Sequence, residues 1–174
     1  MMKYFGVFLD ISDEGKAFVG TVCASAALLL KDQLLYQYTD HTVDHSFRVE
    51  EYISKLLQGS NIALSDNEKI ILLCAILLHD VGMQTTKYLK DFDAGQPLGP
   101  AQIEEIRQRH HRYSGNLIVE SVTLELSERY YLGLDGRKDI VDFIANVSMF
   151  HRSLDISTLQ DSVLGGGTIR ACLH

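Results

Sequence analysis

The fold class this sequence predicts is an all-α, single-domain helical bundle, and three observations predict it. Apolar residues recur at spacings of three, four and seven, and no stretch of any length alternates as a strand would. Proline occurs only at Pro97 and Pro100, so long helices go unbroken. Nine apolar residues in a row, Ile70 to Leu78, fit a helix buried on every side.

Taken in order, residues 1 to 13 carry no clear period and suit an arm. A helix is expected from Lys16 to about Tyr38. Thr39 or Asp40 is placed to cap the next, which runs to about Gln58. Ser65-x-x-Glu68 is a capping box ahead of the apolar run, predicting a helix from about Asp66 to Leu78, with Gly82 at its end. Pro100 suits the first turn of a helix reaching about Tyr131, with a bend near Gly115. "GLDG" is a turn, Arg137 to Phe150 another helix, Gly165 to Gly167 a flexible joint, and "TIRACLH" the opening of a last helix. The expected organisation is an N-terminal arm and helix over 1–38 and a metal-binding domain over 39–174, incomplete at its C-terminal end.

The formal charge of −7 makes a poor general binder of extended nucleic acid, since phosphate affinity needs a basic surface. A metal ion can still supply local positive charge to a small phosphate substrate. Cys23, Cys74 and Cys172 are odd in number, lack any Cys-x-x-Cys pairing, and read as free thiols in a reducing compartment. "AFVGTVCASAALLL" is shorter than the roughly 20 residues of a membrane span. A cytoplasmic protein with no membrane partner is the expectation.

The histidines carry the functional signal. His45, Val49, Tyr52 and Leu56 share a helical face, as do Ile103, Ile106, His110, Ser114 and Leu117, and Ile140, Ile144, Val147 and His151. His111 turns about 100° away from His110. His79 ends the apolar helix, with Asp80 beside it. A lone inward histidine is usually a core residue with its nitrogens hydrogen-bonded. Four of the seven, on four helices, are buried at least cost if they and the Asp80 carboxylate share a cation. Imidazole mixed with carboxylate suits one or two ions of Mn, Fe, Co, Ni or Zn. Neighbours on a helix diverge, so Asp80 would have to reach sideways at the helix end to touch or bridge ions. Such ions activate water for attack on phosphorus.

These residues resemble the HD superfamily of metal-dependent phosphohydrolases, with a helical phosphodiesterase-like fold. "DHSFRVEEYISKLL" is similar to its first motif, with His45 as ligand, and "CAILLHDVGM" to the helix that names it, with His79 and Asp80. "IRQRHHRYSGNLI" and "ANVSMFHRSLDI" resemble the extra histidine motifs of the longer members, with His110 and His151. The similarity runs from about residue 39 to the end. It implies hydrolysis of a phosphomonoester or phosphodiester, often a nucleotide, with Asp80 at the centre and Arg48 holding phosphate. An exposed surface charge is an equally good reading of Arg48. Lys87, Arg112 and Arg152 are weaker candidates, and His41 reads first as the residue that enters the helix and only second as a contact to the site or substrate.

Two departures stand out. Met83 occupies the lysine position of HD-x-G-K and no Gly-Tyr-Pro triplet follows, which argues against the cyclic-dinucleotide branch. The family's closing aspartate has no good counterpart, because Asp155 and Asp161 follow His151 too soon. The alternative to an enzyme is therefore a non-catalytic regulatory module that binds a nucleotide or a partner. A purely structural metal ranks last, since structural zinc favours cysteine. Further domains of a longer protein and oligomerisation stay open.

Overall fold

The computed structural model describes residues 10–31, 34–35, 41–90, 92–123 and 130–151, and the backbone of 163–164 and 167–168. Among the described residues five α-helices form the bundle: α1 (Asp13–Lys31), α2 (Val43–Gln58), α3 (Asp66–Leu78), α4 (Pro100–Thr123) and α5 (Val141–Met149). Two 3-10 turns, Val81–Gln84 and Asp135–Ile140, precede α4 and α5 respectively. The expected class is all-α, and so is the fold. Among the described residues the one addition is a minimal antiparallel pairing of Val163–Leu164 with Gly167–Thr168. It corrects one expectation, since Thr168, thought to open a helix, stands in a strand. The remainder of that stretch, and Cys172, lie outside the described residues.

The apolar helix α3 is the centre, and every residue from Ile70 to Leu78 is buried. It packs against α1, α2 and α5, while α4 packs against α5 and the turn after α3. Its start is the predicted capping box: Ser65 Oγ accepts from the Glu68 N–H, and the Glu68 carboxylate accepts from the Ser65 N–H at 2.8 Å. Ser12 ties α1 to the same end, its N–H and hydroxyl donating to the Asp66 carboxylate at 3.0 and 2.8 Å. Cys23 and Cys74 are buried free thiols, and burial pushes both thiol pKa values up, which makes them poor nucleophiles.

Other boundaries differ from expectation for local reasons. Helix α1 begins at Asp13 because Ser12 Oγ accepts from the Gly15 N–H, and it ends by Lys31. Thr42 is the residue that precedes α2; Thr39 and Asp40 lie outside the described residues. Helix α4 is continuous across Gly115, where a bend was expected, and is helical to Thr123 rather than Tyr131. Gly115 serves close packing, since an added Cβ would sit 2.4 Å from Met149 Cγ. The helix expected from Arg137 starts at Val141 instead, because Arg137 takes a non-helical conformation and its guanidinium binds Asp139 and Asn67. Gly133, in the "GLDG" turn, needs its freedom, with φ of 72°.

Candidate metal centre

The centre is built on the corner that follows α3. His79 closes the helix with ordinary helical angles, and Asp80 leaves it at φ −105°, ψ 3°. The chain then drops into the 3-10 turn, so the Asp80 carboxylate swings back beside the His79 ring, with Oδ2 3.0 Å from Nε2. This break removes the divergence that a continuous helix imposes on neighbouring side chains. Gly82 does not end α3 as expected; it lets the turn meet α4 backbone to backbone. An added Cβ there would lie 2.2 Å from the His110 carbonyl oxygen. Ser114 pins the corner, its hydroxyl donating to the His79 carbonyl at 2.6 Å and accepting from the Gly82 N–H at 2.8 Å.

Four expected histidines converge on Asp80 from four places in the chain. His45, at the start of α2, brings Nε2 to 3.6 Å from Oδ2, the oxygen that also faces His79. His110 of α4 and His151, just past α5, bring Nε2 to 3.4 and 3.8 Å from Oδ1. Asp80 thus shows one oxygen to each pair. Two sets of donors, His45 with His79 and Asp80, and Asp80 with His110 and His151, each lie within 4.8 Å of one another. Either set can hold a metal ion, with Asp80 common to both.

The tautomers favour this use. Nδ1 of His79, His110 and His151 lies 2.8, 2.8 and 2.5 Å from the carbonyl oxygens of Ile76, Arg107 and Ser148. A carbonyl only accepts, so each Nδ1 donates, and each ring turns its Nε2 inward, where the lone pair is available once any proton there, such as the one His79 shares with Asp80, is displaced. Two such atoms, on His110 and His151, stand 3.1 Å apart. Two nitrogens at about 2.0–2.1 Å from one ion are separated by roughly 2.9–3.4 Å, so the pair fits a shared cation. The mixed imidazole–carboxylate chemistry and the preset tautomers both suit a divalent transition metal.

Protonation follows from the same geometry. Burial pushes Asp80 up, but hydrogen bonds from His41 and His79 and their charges outweigh it, holding the carboxyl well below its usual range. Burial lowers His151 to about 4, with only partial opposition from its Ser148 bond. Burial and the neighbouring His79 lower His45, and the charge of Arg48 adds to that. Burial also opposes charge on His79, yet the hydrogen bond and charge of Asp80 leave its pKa raised. The shifts of His45, His151 and Asp80 favour the neutral imidazoles and ionised carboxylate that metal binding requires, while His79 must release a proton to an incoming ion.

Not every expected residue stands where its stripe placed it. On α2 the stripe is misread. Tyr52 and Leu56 are 65% and 72% exposed, while Ser46, Glu50 and Ser54 face the core. These three sit among the partly buried Val43, Phe47, Val49, Ile53 and Leu57, so His45 and Val49 keep their place toward the centre while Tyr52 and Leu56 fall outside the packed face. His111 is buried rather than turned out, its ring 6.0 Å from that of His110, but His110 is the one whose Nε2 reaches Asp80. Arg48 and Arg112 are exposed. Lys87 is taken up by an ion pair with Glu120, which also accepts from the Tyr88 hydroxyl at 2.9 Å. Arg152, Asp155 and Asp161 lie outside the described residues. His41, read first as a helix-entry residue, is instead a contact to the site, with Nδ1 donating to Asp80 Oδ2 at 2.8 Å. Sequence reasoning missed the role of Ser114, although its place one turn after His110 was a usable signal.

An apolar pocket of about 480 Å³ opens beside the centre, reaching His45, His79 and His151. Its other walls come from α2, α3 and α5.

An all-α bundle whose interior brings histidines from separate helices onto one aspartate, in a set able to bind metal, is a metal-binding HD-type domain. Residues 35–171 match the model of the HD-CE family, and the chain belongs to that family. No curated protein and no solved structure matches it. No helix among the described residues is long and apolar enough to cross a membrane.

Proposed function

We propose that this protein is a metal-dependent phosphohydrolase that cleaves a phosphomonoester or phosphodiester, with nucleotides the first class to test. The observation that carries the reading is the position of Asp80, one oxygen toward His45 and His79 and the other toward His110 and His151. A divalent ion held by either set supplies Lewis acidity for activating water and polarising a phosphoryl oxygen.

The chain's own residues do the rest. The Ile76, Arg107 and Ser148 carbonyls fix three rings with Nε2 inward, so little reorganisation is needed when an ion binds. His41 steadies Asp80 from outside the donor sets. Arg48, exposed and close enough to influence His45, is the guanidinium proposed to hold phosphate oxygens. The apolar pocket beside the centre offers a surface for the organic part of an ester.

The test is metal-stripped protein assayed on p-nitrophenyl phosphate, bis-p-nitrophenyl phosphate and a nucleotide panel, before and after adding Mn or Fe. The expected result is turnover that depends on metal and falls at least about a hundredfold in Asp80→Asn. Protein that takes up neither metal removes the basis of the reading. Metal uptake without hydrolysis of any of these esters favours the regulatory module instead.

A further inference from the structure

The pocket beside the metal centre has a chemical character of its own. Val49 and Ile53 of α2, Leu72 and Ile76 of α3, Val147 at the end of α5 and Phe150 just beyond it form most of its wall. Apart from the histidines of the centre, the one polar side chain on that wall is Ser148, whose hydroxyl already faces the Ala75 carbonyl at 3.5 Å. No lysine or arginine lines it among the described residues. At about 480 Å³ it is sized for an organic group rather than for a phosphate alone.

We infer that the substrate carries a single phosphate on an uncharged, largely apolar alcohol, aryl or alkyl in kind, and that this organic part seats between α2, α3 and α5 while the phosphate meets the metal centre. The inference rests on the phosphohydrolase reading and narrows it. A chain of several phosphates needs cations or hydrogen-bond donors along its length, and this wall supplies none. A nucleobase needs partners for its polar edge, because burying unmatched donors and acceptors is costly. One hydroxyl cannot meet that need, whereas an apolar ring or chain needs only the surface it covers.

The experiment is calorimetric binding to the full Mn-loaded chain, using phosphonates that resist hydrolysis. Naphthylphosphonate is expected to bind at least tenfold more tightly than methylphosphonate, with a more negative heat-capacity change. Val49→Thr, which keeps shape and adds a hydroxyl, and Ile53→Asn should each shrink that advantage several-fold and leave methylphosphonate affinity unchanged. Tripolyphosphate or adenosine 5′-monophosphate binding tenfold more tightly than naphthylphosphonate would overturn the inference while leaving the phosphohydrolase reading intact. Equal affinity for the naphthyl and methyl compounds would do the same. If no phosphonate binds the metal-loaded protein at all, the phosphohydrolase reading falls, and the pocket inference with it.

Discussion

His110 and His151, 41 residues apart in the chain, bring their Nε2 atoms to 3.1 Å while each Nδ1 donates to a carbonyl of its own segment. Two lone pairs face each other at that distance, an arrangement that favours a positive charge between them. A divalent cation supplies that charge, with Asp80 Oδ1 at 3.4 Å from His110. His110→Ala or His151→Ala should therefore weaken Mn or Zn binding about a hundredfold or more, measured by calorimetric titration, while the helical circular-dichroism signal is retained.

His41 should matter for metal affinity without belonging to either donor set. Its Nδ1–H holds Asp80 Oδ2 at 2.8 Å. His41→Ala is expected to cost about 10–100-fold in affinity, and His41→Asn, which keeps an N–H donor, should recover part of it. Competition against a fluorescent chelator gives the comparison.

Acid should destabilise the metal-free protein in a defined window. The folded chain keeps His151 neutral down to about pH 4, whereas the unfolded chain protonates near the ordinary value of 6.5. The unfolded state thus binds more protons between those values, and stability falls as pH falls through them. His45, also lowered, acts in the same direction. His79 is raised, so its contribution is complete below 6.5 and is lost only as pH rises through its folded value. Asp80 is depressed, so its contribution holds above the ordinary carboxylate value and is lost in stronger acid. Thermal melts should show Tm dropping from pH 6.5 toward 4, with a shallower slope in His151→Gln.

Two glycines should respond unequally to alanine. At Gly82 the new Cβ would meet backbone on both sides, 2.2 Å from the His110 oxygen and 2.6 Å from the Ser114 nitrogen. Neither can yield without moving α4, so Gly82→Ala is expected to cost about 3 kcal/mol or more and to weaken metal binding. At Gly115 the obstacle is the Met149 side chain, which can swing away, and the cost should be about 1–2 kcal/mol. Urea melts of the two variants provide the comparison.

Ser114→Ala leaves the buried Gly82 N–H and His79 carbonyl without their hydroxyl partner. A loss of about 1–3 kcal/mol is expected. A denaturation midpoint equal to that of the parent would show that the corner does not depend on this serine.

Much of this arrangement was legible in the sequence. The capping box and unbroken apolar run fixed α3 to the residue, and helical spacing turned His110 inward; His151, past the end of α5, reaches Asp80 from an exposed position rather than the buried one expected. What escaped was geometry made by breaks and by distant contacts. The stripe on α2 was drawn through Tyr52 and Leu56 because they are apolar, yet Ser46, Glu50 and Ser54 face the core, and hydrophobicity alone does not reveal buried polar residues. The return of Asp80 toward His79 depends on leaving the helix at that residue, which propensity does not specify. The partnership of His41 and Asp80 spans 39 residues, and Gly82 shows its purpose only once α4 lies against it.

The most direct test is anomalous scattering from crystals soaked in Mn. Electron-dense ions should appear on at least one side of Asp80, within about 2.0–2.3 Å of its carboxylate and of the paired histidine nitrogens. Crystals with full Mn exposure and no anomalous peak among these five side chains would contradict the account.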